Sequence, residues 1–204
     1  MQGRRSYTGW IIGAVIVIAL FYVGSTYNSL VSLSQAVDAQ WGQVQNVYQR
    51  RADLIPNLVA TVKGAANFEK STYIAVTQAR SEVGRLPASA VQGATTNPKA
   101  FAQYAQAQDQ LGSAISRLLV TVENYPNLKA SQNFLTLQSQ LEGTENRIAV
   151  ERRRYNEVAQ AFNTSRDTAP TVFIVGFFGP RFNEKAYFQA QPGAQNAPKV
   201  NFSP

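Results

Sequence analysis

Five carboxylates on predicted helices, Glu69, Glu82, Asp109, Glu142 and Glu145, are the groups available for acid–base work in this 204-residue chain. Two carboxylates at a suitable separation can serve as general acid and base. These five form no metal-ligand pair, nucleophile elbow or phosphate-binding loop. The chain has no His, and so lacks the side chain best suited to proton transfer near neutral pH and the commonest metal ligand. It has no Cys either, which removes thiolate nucleophiles, thiolate zinc sites, disulfides and a lipid-bearing Cys. The residues predict no enzyme, and imply no catalytic, cofactor-binding or metal site.

Two polar blocks around prolines carry the remaining chemical interest. Arg50, Arg51 and Asp53 precede Pro56 and Asn57, while Glu123, Asn124, Tyr125 and Asn127 surround Pro126. A proline inside a helix removes an N–H and frees the carbonyl four residues earlier. Buried polar backbone needs partners. The blocks therefore predict that Arg50 or Arg51, with Asn57 and Asn124, satisfy the groups released there. The alternative is a ligand or partner site.

Four helical stretches position these blocks. From Val37 the apolar residues Trp41, Val44, Tyr48, Ile55, Leu58 and Val62 follow in steps of four and three, with Arg51 in the one polar slot. That is a heptad seam. Pro56 predicts a kink, or else a helix restarted with Asp53 as its cap. A second stretch covers Phe68 to Leu86, and the small and polar residues Pro87–Asn97 predict a loop. Asn97-Pro98 is a helix start, leading to Phe101, Tyr104, Leu111, Ile115, Leu118 and Val122. Glu123–Asn127 breaks that third helix, since the residue before Pro is pushed out of helical geometry. In the fourth, Phe134, Leu141, Ile148, Tyr155 and Phe162 recur every seven residues. Four such helices with short connections predict an all-α, antiparallel four-helix bundle over residues 28–166.

A transmembrane helix is predicted over residues 7–27, after a short polar N-terminus at 1–6. Between Arg5 and Asp38 lie 32 residues without a charge, and Trp10–Val23 is almost wholly apolar. About 20 helical residues cross a hydrocarbon layer, and Tyr7, Trp10, Tyr22 and Tyr27 suit the two aromatic belts. The rival, a cleaved leader, needs a small-x-small site, and Tyr22-Val23-Gly24 puts a bulky residue there. No turn signal separates this helix from the first seam, so one continuous rod is expected. Arg4 and Arg5 favour a cytoplasmic N-terminus and a bundle outside.

Residues 167–204 change character. Five prolines exclude a long helix, predicting an irregular segment. Within it Val172, Phe173, Ile174, Val175, Phe177 and Phe178 are too short a run to span a bilayer and too apolar to stay in water. They predict burial against their own bundle, a neighbouring copy or the membrane interface.

The net charge of +7 divides as +2 over residues 1–26, +3 over 27–165 and +2 over 166–204, with no Lys/Arg stripe for nucleic acid. The densest cluster, Arg147 with Arg152, Arg153 and Arg154, alternates with Glu145, Glu151 and Glu157 and predicts a solvated helix face.

The blocks Gln49-Arg50-Arg51-Ala52-Asp53-Leu54-Ile55-Pro56-Asn57-Leu58 and Glu123-Asn124-Tyr125-Pro126-Asn127-Leu128, with Trp41, Tyr155-Asn156, Tyr187-Phe188 and Pro198-Lys199-Val200, make the chain resemble the LemA family of bacterial membrane proteins. The resemblance implies a single-pass anchor in a bacterial inner (plasma) membrane and a helical bundle, with no agreed catalytic activity or catalytic residues. It implies a bundle in the cytoplasm, the reverse of what Arg4 and Arg5 favour. Three functions follow from the sequence. The first is a scaffold, bound to lipid through residues 7–27, that associates with itself or with other membrane proteins. The second is a sensory or adaptor module, and the third, least supported, an enzyme.

Overall fold

The computed structural model describes residues 8–65 and 67–189. Arg4 and Arg5, on which the expected orientation rests, lie outside these, as do Pro192, Pro198-Lys199-Val200 and Pro204.

Helix α1 (Thr8–Lys63) runs unbroken for 56 residues, about 84 Å at 1.5 Å per residue. Residues 9–29 are exposed apart from half-buried Val23 and Thr26, and burial begins at Leu30. The apolar part of α1 is a candidate membrane span. Beyond it, Val37, Trp41, Val44, Tyr48, Arg51, Ile55, Leu58 and Val62 are all buried, as the seam predicts.

Pro56 sits inside α1 without ending it. Asp53 is not the cap of a restarted helix, because its carboxylate accepts from Gln49 Nε2 at 2.7 Å, one turn back on the same helix. The carbonyl that Pro56 deprives of a partner belongs to Ala52. Arg80 Nε answers it at 3.1 Å, so the satisfying group comes from the next helix rather than from Arg50, Arg51, Asn57 or Asn124.

Helices α2 (Lys70–Arg85), α4 (Pro98–Val122) and α6 (Gln132–Asp167) complete the bundle. α1 packs along α6, and α2 along α4. α1 and α6 are antiparallel: Gln40 reaches Glu151 while Arg51 reaches Glu145. Asn97 caps α4 as expected, its side-chain oxygen accepting from Lys99 N at 3.1 Å and Ala100 N at 3.2 Å. Ser131 caps α6 by accepting from Phe134 N.

Residues 87–97 are not the irregular loop that their composition predicts. They fold into α3 (Ala88–Gln92) and a 3₁₀ turn over Gly93–Thr96. Their small side chains let the backbone approach α1, where Trp41 Nε1 donates to the Val91 carbonyl at 2.9 Å, and Ala94 and Thr95 are buried.

The C-terminal segment is short-range helical: α7 (Thr171–Ile174), then 3₁₀ turns over Val175–Phe178 and Pro180–Phe182. Gly179 joins the turns at φ 92, a conformation that favours glycine. Val175 and Phe182 are buried, while Ile174 and Phe178 are half-buried. Val172, Phe173 and Phe177 remain exposed, so the six residues expected to seek cover together divide between two faces. From Asn183 the chain extends along α6. There Asn163 Nδ2 donates to the Lys185 carbonyl and its Oδ1 accepts from the Lys185 amide, both at 2.9 Å. One heptad away Asn156 makes the same pair with Phe188, again at 2.9 Å.

Candidate functional site

The buried apolar side chains form two clusters. One runs from Leu30 to Tyr48 in α1 and includes Phe101, Tyr104, Ile148, Tyr155 and Phe162; the other starts at Ile55 and includes Leu111, Leu118, Phe134 and Leu141. A polar layer divides them. Arg51 supplies it from α1, Gln108 from α4, and Thr144 with Glu145 from α6.

Arg51 lies 98% out of solvent, counted from its 2% exposure. A buried cation is costly unless it is paired and hydrogen-bonded. Here Nη1 donates to Glu145 Oε1 at 2.8 Å, and Nη2 donates to the Gln108 backbone and side-chain oxygens at 2.8 and 2.7 Å. Only Nε has no partner. Gly112 completes the fit, because a Cβ there would lie 3.2 Å from Arg51 Nη1. Glu145 is 43% exposed at its side chain, so the pair is buried at its cationic end and wet at its acidic end.

Arg152 extends the layer, and it is not on a solvated face. Its Nε donates to the Tyr48 hydroxyl at 2.7 Å and its Nη2 to Asp109 Oδ1 at 2.5 Å. Its guanidinium also lies 4.9 Å from the Phe188 ring centre. Arg147, Arg153 and Arg154 do face solvent. Guanidinium groups of Arg51 and Arg152 flank the Tyr48 ring at 5.4 and 5.5 Å. Burial pushes the Tyr48 phenol up to about 12, with both arginines opposing that shift.

A groove of about 780 Å³ opens along this layer, with Arg51, Asp109, Arg117, Glu145, Arg152 and Arg153 on its walls. Both groove carboxylates are paired with a guanidinium, Glu145 with Arg51 and Asp109 with Arg152. Glu142 accepts from Gln138, Glu69 accepts from Ser71 and Glu82 is exposed, which leaves the five carboxylates without a shared centre. Among the described residues no cluster of three or more His, Cys, Asp or Glu could hold a metal ion.

The second polar block occupies the far end of the bundle. Asn124, Tyr125, Pro126 and Asn127 line a cleft of about 620 Å³ with Thr61 and Gly64. α5 (Pro126–Lys129) begins at the proline. The Tyr125 hydroxyl donates to the Asn67 carbonyl at 3.0 Å, tying the α1–α2 turn to the α4–α6 turn. Asn67 takes a positive φ of 59, which Asn tolerates better than most residues. Glu123 pairs with Lys129 across the turn. Arg50, Asp53, Pro56 and Asn57 are exposed and do not line this cleft. The two blocks are therefore separate features. One feeds the polar layer through Arg51, and the other closes the tip.

An apolar helix continued into an antiparallel bundle, with a polar layer whose charges satisfy one another, defines the class: an all-α bundle carried on a candidate membrane span. The chain belongs to the LemA family, whose model matches residues 40–202. Over 183 residues it is 27% identical to the Magnetosome proteins MamQ 1 and MamQ 2 of Paramagnetospirillum magneticum, covering 81% of this chain and 65% of each of theirs. It is 26% identical over 158 residues to Protein LemA of Metamycoplasma hominis, covering 76% of this chain and 67% of that one. The chain thus spans less than two thirds of the length of the MamQ relatives.

Proposed function

We propose that this chain is a non-enzymatic scaffold, anchored in a bacterial inner membrane by residues 7–27, that associates with copies of itself or with other membrane proteins. The observation that carries this is the continuity of α1: one helix supplies both the apolar stretch and the longest wall of the bundle. Such a rod holds the bundle at a set distance and orientation from the bilayer. Anchoring also confines copies to two dimensions, which raises their effective concentration and lets weak lateral contacts suffice. The magnetosome names of two relatives are consistent with a part in a larger assembly. Arg4 and Arg5 favour a bundle outside the cytoplasm.

The test is the mass and symmetry of the intact protein, extracted from membranes in mild detergent and measured by light scattering and single-particle imaging. A discrete multimer or a stable complex is expected, and a lone protomer at all concentrations overturns the scaffold. An adaptor that binds a partner through the tip cleft is the second reading, favoured by the gathering of Asn124–Asn127 around it. It predicts a monomer whose partner is lost when Asn127→Ala and Asn124→Ala are combined.

A further inference from the structure

The exposed half of the C-terminal apolar segment lies beside the end of the candidate span. Thr171 stands against the Tyr22 hydroxyl. Five residues on, about 7.5 Å along α1, the Tyr27 ring meets Phe178 at 5.3 Å and Phe182 at 5.6 Å in edge-on contacts. Arg181 reaches farther from the span, to the neighbourhood of Asp38 and Trp41. The segment therefore climbs from the level of Tyr22 towards the bundle, and its first residues are the ones nearest the membrane.

Charge follows the same line. Between Asp167 and Arg181 the chain carries no charged residue, and this uncharged stretch is the part that lies alongside Tyr22 and Tyr27. Within it Phe173 and Phe177 are 76% and 87% exposed, with Val172 beside them, while Val175 and Phe178 turn inward. The large apolar side chains of α1 are likewise exposed from Trp10 to Phe21, on the turns that precede Tyr22. Aromatic side chains concentrate at the two faces of a bilayer, and a short amphipathic segment buries its apolar face by lying in that boundary.

We propose that residues 171–178 form a foot that rests in the interface of the bilayer which α1 enters, with Phe173 and Phe177 inserted among the acyl chains. The foot gives the bundle a second point of attachment and fixes its tilt on the rod. This inference rests on the proposal that residues 7–27 span a membrane, and the test separates the two.

The chain has no Cys, so single substitutions give unique labelling sites. Phe173→Cys, Phe177→Cys, Ile16→Cys and Val120→Cys are each made in the full chain, reconstituted in vesicles of phosphatidylethanolamine and phosphatidylglycerol, and given a nitroxide label. Collision with oxygen, which concentrates in lipid, is compared with collision with a water-soluble nickel chelate. Val120, 70% exposed on α4, is the water-facing control. Ile16 marks the span. The proposal expects labels at 173 and 177 to favour oxygen, at a depth shallower than 16. Labels at 173 and 177 matching 120 while 16 reads lipid overturn the foot and leave the span standing. If 16 also matches 120, the span fails and the foot with it. Spin–spin broadening at 177 that vanishes on dilution with unlabelled chain assigns the surface to a second copy, and also overturns it.

Discussion

Arg80 Nε donates to the carbonyl oxygen of Ala52 at 3.1 Å, and that carbonyl is the one Pro56 leaves without a helical donor. The helix that would otherwise be weakened is answered by a side chain from its neighbour. The contact is open to solvent, which places its value at the low end, about 0.5–1 kcal/mol. Arg80→Ala should lower the free energy of unfolding by that much. Pro56→Ala restores an N–H to Ala52, so in that background Arg80→Ala should cost nothing. Additive losses from the two substitutions would refute the link.

Arg51 supplies the larger effect. Truncating one partner of a buried ion pair typically costs about 3–5 kcal/mol, but Glu145 is 43% exposed. Water screens its end of the pair, so Glu145→Ala should fall below that range, at about 1–2 kcal/mol. Arg51→Ala removes the charge, opens a cavity and strands Gln108, and should cost more. Arg51→Met, which keeps the volume without the charge, should recover part of the loss. Equilibrium unfolding in detergent gives all three values, and the idea fails if Arg51→Met is the worst.

Two helical glycines should respond in opposite ways to the same substitution. Glycine inside a helix costs about 0.5–1 kcal/mol relative to alanine. Gly143 has open space around its missing Cβ, so Gly143→Ala should gain that amount. At Gly112 the new methyl would meet Arg51 Nη1 at 3.2 Å, on a guanidinium held by three hydrogen bonds to Glu145 and Gln108. Gly112→Ala should gain nothing or lose stability, and should regain the benefit in an Arg51→Met background.

Alkaline pH should unfold the aromatic half of the bundle. Burial raises the Tyr48 phenol from its ordinary 10.0 to about 12, and raises Tyr104 and Tyr155 as well. A raised folded pKa contributes stability that is complete below pH 10 and is lost as pH climbs through about 12. Lys185 runs the other way: burial lowers its pKa below 10.5, so its contribution rises with pH until the unfolded lysine has also lost its proton. Circular dichroism against pH should fall steeply above 10, together with the appearance of tyrosinate absorbance. Tyr48→Phe should make that decline shallower, and an unchanged profile would count against the assignment.

Much of this architecture is legible in the sequence because heptad spacing and caps are local. The seam from Val37 to Val62, the every-seventh series from Phe134 to Phe162 and the Asn97 cap all follow from neighbours in the chain. The polar slot at Arg51 was visible for the same reason. Its partners were not, since Gln108 and Glu145 lie 57 and 94 residues away. Arg80 was hidden likewise, being named only by the fold that brings it to Ala52. Arg152 reads as one of four solvated arginines because charge alone does not show which row of a helix faces Tyr48. The segment from Val172 to Phe178 looked uniformly apolar, and only its helical turns separate the buried Val175 from the exposed Phe177.

The grip of Asn156 and Asn163 on the tail has a consequence for engineering. Each amide clasps a main-chain N–H and C=O at Phe188 or Lys185, while the side chains there are held separately, Lys185 buried over Phe162 and Phe188 packed on Trp41, Phe101 and Tyr155. A designer can rewrite the exposed Glu184, but not Ala186, which packs against the core. Proline at 185 or 188 is the forbidden letter, because it deletes the hydrogen that the clasp holds.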